Sequence, residues 1–268
     1  KLQLFTMEGL RHAVINADDE FSTQVRAVID ASVQILTYSA SGAVADVWVE
    51  KTEFHPGGVR GELHSPWGTA PFSSPLPGDF NLANLAAAVS ALALAGEDLL
   101  AILEAVSNLR PVPGRMQAIP NTLGLQVIVD YAHTPDALEQ VLLALKPHVS
   151  GALVSVFGCG GDRDREKRQV MGRVACGLCD RVVITSDNPR SEPPLAIMRD
   201  IEAGCSGDYA LVEDRAAAIA QALTEARAGD CVVIAGKGHE DYQIVEGERL
   251  HFSDEAQARD VLARGGAL

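Results

Sequence analysis

The chain has 268 residues, 47% of them hydrophobic, which suffices for one large core or two ordinary ones. A formal net charge of −14 argues against nucleic acid or an anionic membrane as partner, so an anionic ligand needs a local basic cluster. Five cysteines at irregular spacing give no disulfide framework, and no apolar run is long enough to cross a bilayer; a cytoplasmic monomer without membrane insertion is expected. The chain opens on Lys1 in mid-pattern and reads as part of a longer protein.

Residues 1–110 mix strands and helices. Ala13–Asn16 reads as a short buried strand, followed by an acidic helix start at Asp18–Glu20. Val33–Tyr38 and Asp46–Phe54 alternate partly, as strands do. The proline- and serine-rich stretch Ser65–Pro77 reads as a loop. Helices are expected from Asn81 and from Glu97 to Ser107. The run Arg110–Gly114 (RPVPG) opposes regular structure and predicts a hinge, so domains are expected at 1–112 and 113–268.

The second part is more regular. Leu125–Asp130 is an apolar strand. Thr134, Pro135 and Asp136 supply a cap, a first-turn proline and an acid for the positive end of a helix. Leu138, Val141, Leu142 and Leu145 then fall on one helical face. Further strands are expected at Ala152–Phe157, Arg181–Thr185, Tyr209–Val212 and Cys231–Ala235, separated by helices. A hairpin at Gln243–Phe252 and a helix capped by Ser253 close the chain. This alternation predicts an α/β fold with a mostly parallel sheet.

Ligands of such sheets bind beyond the carboxyl ends of the strands. Three unusual loops each come directly after a strand: Gly158–Arg168 (GCGGDRDREKR), Ser186–Pro194 (SDNPRSEPP) and Gly236–Gln243 (GKGHEDYQ). Topology therefore gathers them on one edge. The first combines glycines, which admit close backbone approach, with the cluster Arg163, Arg165, Lys167 and Arg168. A solvated helix start explains that charge run as well. Arg163 stands where a dinucleotide fingerprint needs glycine, which argues against a nucleotide-dependent oxidoreductase. In the second loop Arg190 offers a planar fork for a carboxylate and Asn188 both donors and an acceptor, although the run is also an ordinary turn. In the third, Glu240 suits an amine, and His239 suits a structural or a chemical role equally. Cys176 and Cys179 lack a second pair at zinc spacing.

Taken together, VDYAHTP (129–135), GCGGDR (158–163), DNPR (187–190) and GKGHE (236–240), with GDFNLAN (78–84) and GRM (114–116) upstream, resemble the Mur ligase family over the whole chain. The resemblance implies the end of a central P-loop-type ATPase domain followed by a Rossmann-like domain for an incoming amino acid. The family's phosphate loop and its UDP-sugar domain have no counterpart in these residues, so this stretch alone is expected to be inactive.

The resemblance further implies ATP-dependent addition of meso-diaminopimelate to UDP-N-acetylmuramoyl-L-alanyl-D-glutamate through an acyl phosphate, with Mg²⁺. It assigns Arg163, Asp187, Asn188, Pro189, Arg190, Gly236 and Glu240 to diaminopimelate, and Asn81, Asn84, Arg115, Asp130 and His133 to ATP. Lys1 falls at the family's carbamylated lysine, whose carbamate oxygens suit Mg²⁺. If Arg190 is buried against the far carboxylate, lysine leaves it unpaired, and such sites reject the deficient analogue by roughly 10⁴–10⁵. A lysine-adding relative, which typically lacks the NPR run, and a stand-alone amino-acid-binding module are the alternatives.

Overall fold

The computed structural model describes residues 1–55, 58–76, 78–110 and 112–265. The chain divides into two compact units, Lys1–Arg110 and Pro111–Leu268. Part of the expected hinge, Pro111, and the end of the expected loop, Pro77, lie outside the described residues. No helix among the described residues is long and apolar enough to cross a membrane.

In the first unit, β1 (His12–Asn16), α1 (Phe21–Val28) and β2 (Gln34–Ser39) precede the longer strands β3 (Val47–His55), β4 (Gly58–Ser65) and β5 (Gly68–Ser74). Helices α2 (Asp79–Leu94) and α3 (Leu99–Ser107) come next. The strands lie in chain order in one five-stranded sheet, parallel from β1 to β3 and antiparallel from β3 to β5. Val47, Leu63 and Phe72 from the sheet pack with Leu82, Leu85, Val89 and Leu103 from the helices.

One expectation fails here. Ser65–Pro77 is not a loop, because most of it is β5. Ala70, Phe72 and Ser74 alternate inward while Pro71 and Ser73 face out. The proline is tolerated because β5 pairs only with β4 and so lies at the sheet edge, where a missing N–H breaks no second ladder.

The second unit runs β6 (Gln117–Ala118), β7 (Gln126–Asp130), α4 (Pro135–Leu145), β8 (Leu153–Phe157), α5 (Glu166–Leu178), β9 (Arg181–Ile184), α6 (Pro194–Glu202), β10 (Tyr209–Leu211), α7 (Arg215–Glu225) and β11 (Cys231–Ala235). It ends with the hairpin β12 (Tyr242–Val245) and β13 (Glu248–His251), then α8 (Asp254–Gly265). The two-residue strand β6 was not expected. The sheet order is β10-β9-β8-β11-β7-β6, parallel except for β6.

Central strands β8 and β11 are buried along their whole length, which explains their mostly apolar runs, broken in β8 only by the buried Ser155. The chain comes back from β10 to insert β11 between β8 and β7. The loops leaving β7, β8 and β11 are therefore neighbours at the carboxyl edge.

Helix ends obey their local chemistry. Thr134, Asp98 and Asp214 each accept a first-turn N–H with the side chain. In α4, Leu138, Val141, Leu142 and Leu145 are all buried. The core of the first unit offers a direct check. Leu63 is fully buried, so Leu63→Ala should destabilise that unit by about 2–5 kcal/mol, read as a lower urea midpoint with the far-ultraviolet spectrum retained.

Candidate active site

The three loops meet around a cavity of about 520 Å³ in the second unit. Its walls carry Arg163, Asp187, Asn188, Arg190, Gly236 and Glu240 among the residues expected for the amino acid, and His133 among those expected for ATP. Pro189 is not on the wall. It is buried in the loop, and its carbonyl oxygen would lie 1.9 Å from a Cβ added at Gly161. Only glycine at 161 permits that approach, and the Gly161 N–H in turn donates to the Asn188 carbonyl at 2.9 Å. Gly158 is pressed in the same way, 2.3 Å from the Thr185 carbonyl in the same sense. The loops after β8 and β9 are thus joined backbone to backbone.

Glu192 clasps the same two loops. One carboxylate oxygen accepts from the Asp162 N–H at 2.7 Å and from Arg168 Nη2 at 2.8 Å; the other accepts from Arg165 Nη2 at 2.6 Å and Arg168 Nη1 at 3.0 Å. Arg168 is fully buried and also reaches Asp200 at 2.9 Å. The basic run of the sequence is therefore divided. Arg165 and Arg168 hold the loops together, while Arg163 and Lys167 face the cavity.

Arg190 sits in the left-handed region, with φ of 56°. That conformation costs a non-glycine residue roughly 1–2 kcal/mol. It is held by two backbone bonds to β12 and the residue after it: Arg190 N–H to the Ile244 carbonyl, 3.0 Å, and Glu246 N–H to the Arg190 carbonyl, 2.9 Å. The guanidinium donates from Nη1 to the carbonyls of Gly161 and Asn188, at 2.8 and 3.3 Å. Neither Arg190 nor Arg163 forms an ion pair among the described residues. Nearby Asp162 is engaged by the Ser191 hydroxyl and N–H. The cavity thus holds two guanidiniums without an ion-pair partner among the described residues, although the Arg190 charge also acts on Asp162.

Acidic groups line the same cavity. Asn188 Nδ2 donates to Glu240 Oε2 at 3.0 Å, and Asp187 lies beside them. Such a cavity suits a ligand carrying both carboxylate and ammonium groups. Cys159 also lines it, but burial pushes its thiol up to about 12, so it provides no thiolate nucleophile near neutral pH.

The expected ATP residues are spread over both units. Asn81 and Asn84 lie on α2 of the first unit, and Lys1 is exposed ahead of a short 3₁₀ turn. In the second unit, Arg115 stacks over Tyr131 at 4.7 Å, and His133 and His239 approach the same ring at 4.7 and 5.5 Å. Asp130 is buried, and its two oxygens accept the N–H groups of Met116 and Ala132, at 2.7 and 2.8 Å. Burial pushes this carboxyl up, against the lowering effect of those bonds.

Sequence reasoning singles out neither Lys167 nor Tyr242 for the site, though both line the cavity, nor Lys237 beneath it. Lys167 lies in a charge run with no sign of which members face inward. Among the described residues a separate group, Glu50, Glu62 and His64, brings its ligand atoms together on β3 and β4. Lys51 lies 3.3 Å from both carboxylates, so the group is a charge-matched surface cluster.

Comparison with known proteins agrees with this architecture. The Mur ligase middle domain model matches residues 1–92, and the Mur ligase glutamate ligase domain model matches residues 114–238. The chain belongs to the Mur ligase family. It is 54% identical, over 94% of its length, to the UDP-N-acetylmuramoyl-L-alanyl-D-glutamate–2,6-diaminopimelate ligase of Gloeobacter violaceus, of which it covers 51%. The Vibrio vulnificus protein of the same name is 42% identical over 98% of the chain and covered to 54%. A solved structure of a ligase of that name, 42% identical, superposes with a TM-score of 0.69 over 99% of this chain and 55% of its own. The MurF ligase of Thermotoga maritima in complex with ADP shares the fold at 18% identity, with a TM-score of 0.69 over 98% of this chain and 56% of its own. The chain therefore spans about half the length of the relatives it matches.

The Glu192 clasp has a pH signature. Its arginine partners, Arg168 first, hold the carboxyl well below the usual range, whereas in an unfolded chain glutamate protonates near pH ~4.3. A depressed folded value means stability that is complete above the unfolded value and lost as pH falls below it. Glu192→Gln should therefore lower the melting temperature at pH 7 and flatten its decline below about pH 4, measured by thermal melts across pH.

Proposed function

We propose that the second unit binds meso-diaminopimelate and that the protein joins it to UDP-N-acetylmuramoyl-L-alanyl-D-glutamate with cleavage of ATP. The observation that carries this reading is the cavity's charge layout. Arg163 and Arg190, without ion-pair partners among the described residues, lie in one cavity with Asp187 and Glu240, matching a ligand that carries both carboxylates and ammoniums. The names of relatives 42–54% identical support the same substrate.

In this reading the D-glutamate γ-carboxylate attacks the terminal phosphorus of ATP. ADP leaves and an acyl phosphate forms. The amine of diaminopimelate then attacks the acyl carbon, phosphate departs with the C–O electron pair, and the nitrogen loses a proton. The chain's contribution is positioning. Arg190 and Arg163 hold carboxylate oxygens, Glu240 and Asp187 hold the far ammonium, and glycine backbones close the wall.

Asn81, Asn84, Arg115, Asp130 and His133 are the proposed ATP contacts, and the ADP complex of a fold neighbour is consistent with a nucleotide partner. Mg²⁺ needs hard oxygen ligands. The exposed Lys1 supplies them only as a carbamate, and among the described residues the converging ligand group is Glu50, Glu62 and His64. No step is therefore assigned to a metal. A soluble cytoplasmic monomer completes the proposal.

The test is phosphate release by the full-length protein with ATP, Mg²⁺ and the UDP-linked acceptor, offering meso-diaminopimelate or L-lysine. Release with diaminopimelate alone is expected; release with lysine alone would transfer the chain to the lysine-adding branch. In the same assay Arg190→Ala should raise the KM for diaminopimelate roughly 10- to 100-fold, with the KM for ATP little changed. Unaltered kinetics would remove Arg190 from the site.

A further inference from the structure

Beneath the cavity, and not part of its lining, lies a lysine with no exposure to solvent. The Lys237 ammonium donates to the Tyr242 carbonyl at 2.7 Å and to Asn188 Oδ1 at 3.0 Å. It lies 3.1 Å from Asp187 Oδ1 and 3.7 Å from Glu240 Oε2. The contact with Asp187 is an ion pair without hydrogen-bond geometry. An ammonium has three donors and no acceptor, and two of them are taken by Tyr242 and Asn188.

The side chain on which Lys237 acts most directly is Asn188. The amide oxygen accepts from Lys237 and also from the Ile244 N–H at 3.0 Å. With two donors on that side, the amide has one acceptable orientation, and a flip would set its NH₂ against both. Nδ2 is therefore directed to Glu240, 3.0 Å away.

Another buried cation, Arg215 of α7, makes two bonds to the buried Asp254 of α8. Its remaining bonds go to the carbonyls of Ser186 and Ala235. Asp187 and Glu240 thus have Lys237 as their ion-pair partner, and the Arg215 charge also acts on both.

We infer that Lys237 is a positioning residue for the ammonium at the far end of the ligand: from below, it gathers Asp187, Asn188 and Glu240 into one acidic receptor. Lys237 does not touch the ligand. This inference rests on the diaminopimelate reading and deepens it.

The test uses the full-length protein and a pair of amino acids, meso-diaminopimelate and L-2-aminopimelate, which lacks the far amine. Wild type should show a lower KM for diaminopimelate. Lys237→Met should raise that KM roughly 10- to 100-fold, change the KM for aminopimelate far less, and leave the KM for ATP in place, so that the preference collapses. A role confined to loop stability would raise both amino-acid KM values together, and that outcome, or an unchanged ratio, overturns the inference. Wild type that uses diaminopimelate without preferring it overturns it too, whereas wild type that does not use diaminopimelate refutes the functional reading instead. Should Lys237→Met fail to fold, Lys237→Gln, which keeps a donor and removes the charge, decides by the same ratio.

Discussion

The carbonyl of Pro189 comes so close to Gly161 that no side chain can stand between them. Most of the site depends on that contact. It brings the loop after β8 against the loop after β9, and with them Arg163 against Arg190. Glu192 and the buried Arg168 then lock the pair electrostatically. A buried ion pair of this kind contributes little net stability by itself, because desolvation offsets much of the attraction. Its value lies in specifying one arrangement of two loops that would otherwise be long and polar.

The parallel sheet is the second constraint. Inserting β11 between β8 and β7 puts glycine-rich exits side by side at one edge. The buried strands β8 and β11 are rigid supports, and the chemistry is left to the loops at their carboxyl ends. Cations and anions are then sorted by depth. Arg168, Arg215 and Lys237 are buried and paired with carboxylates of the protein, while Arg163 and Arg190 keep donors for something else. In a chain with a net charge of −14, that sorting lets a small basic face coexist with an acidic whole.

Much of this is legible in the residues. The Thr134 cap, the apolar face of α4 and the three loops on one edge can be reasoned from spacing and from the rules of parallel sheets. The strand β5 is hidden because its proline and serines outweigh the alternation of Ala70, Phe72 and Ser74, and nothing in the local sequence announces an edge position. The cluster from Arg163 to Arg168 cannot be divided from sequence, since the partners that separate it, Glu192 and Asp200, lie on distant segments. Lys237 reads in sequence as one member of a glycine loop because its burial is a tertiary fact.

The hairpin of β12 and β13 has a further consequence. Two strands alone are marginal in water, and β13 is exposed along its length. The hairpin is moored through Gln243, Ile244 and the Arg190 backbone to the loop after β9. Its opening free energy is therefore set by a few moorings rather than by the core, placing it among the segments that unfold locally before the whole. Because Tyr242 and Glu240 stand at its root, warming is expected to loosen the site before the parallel sheet melts.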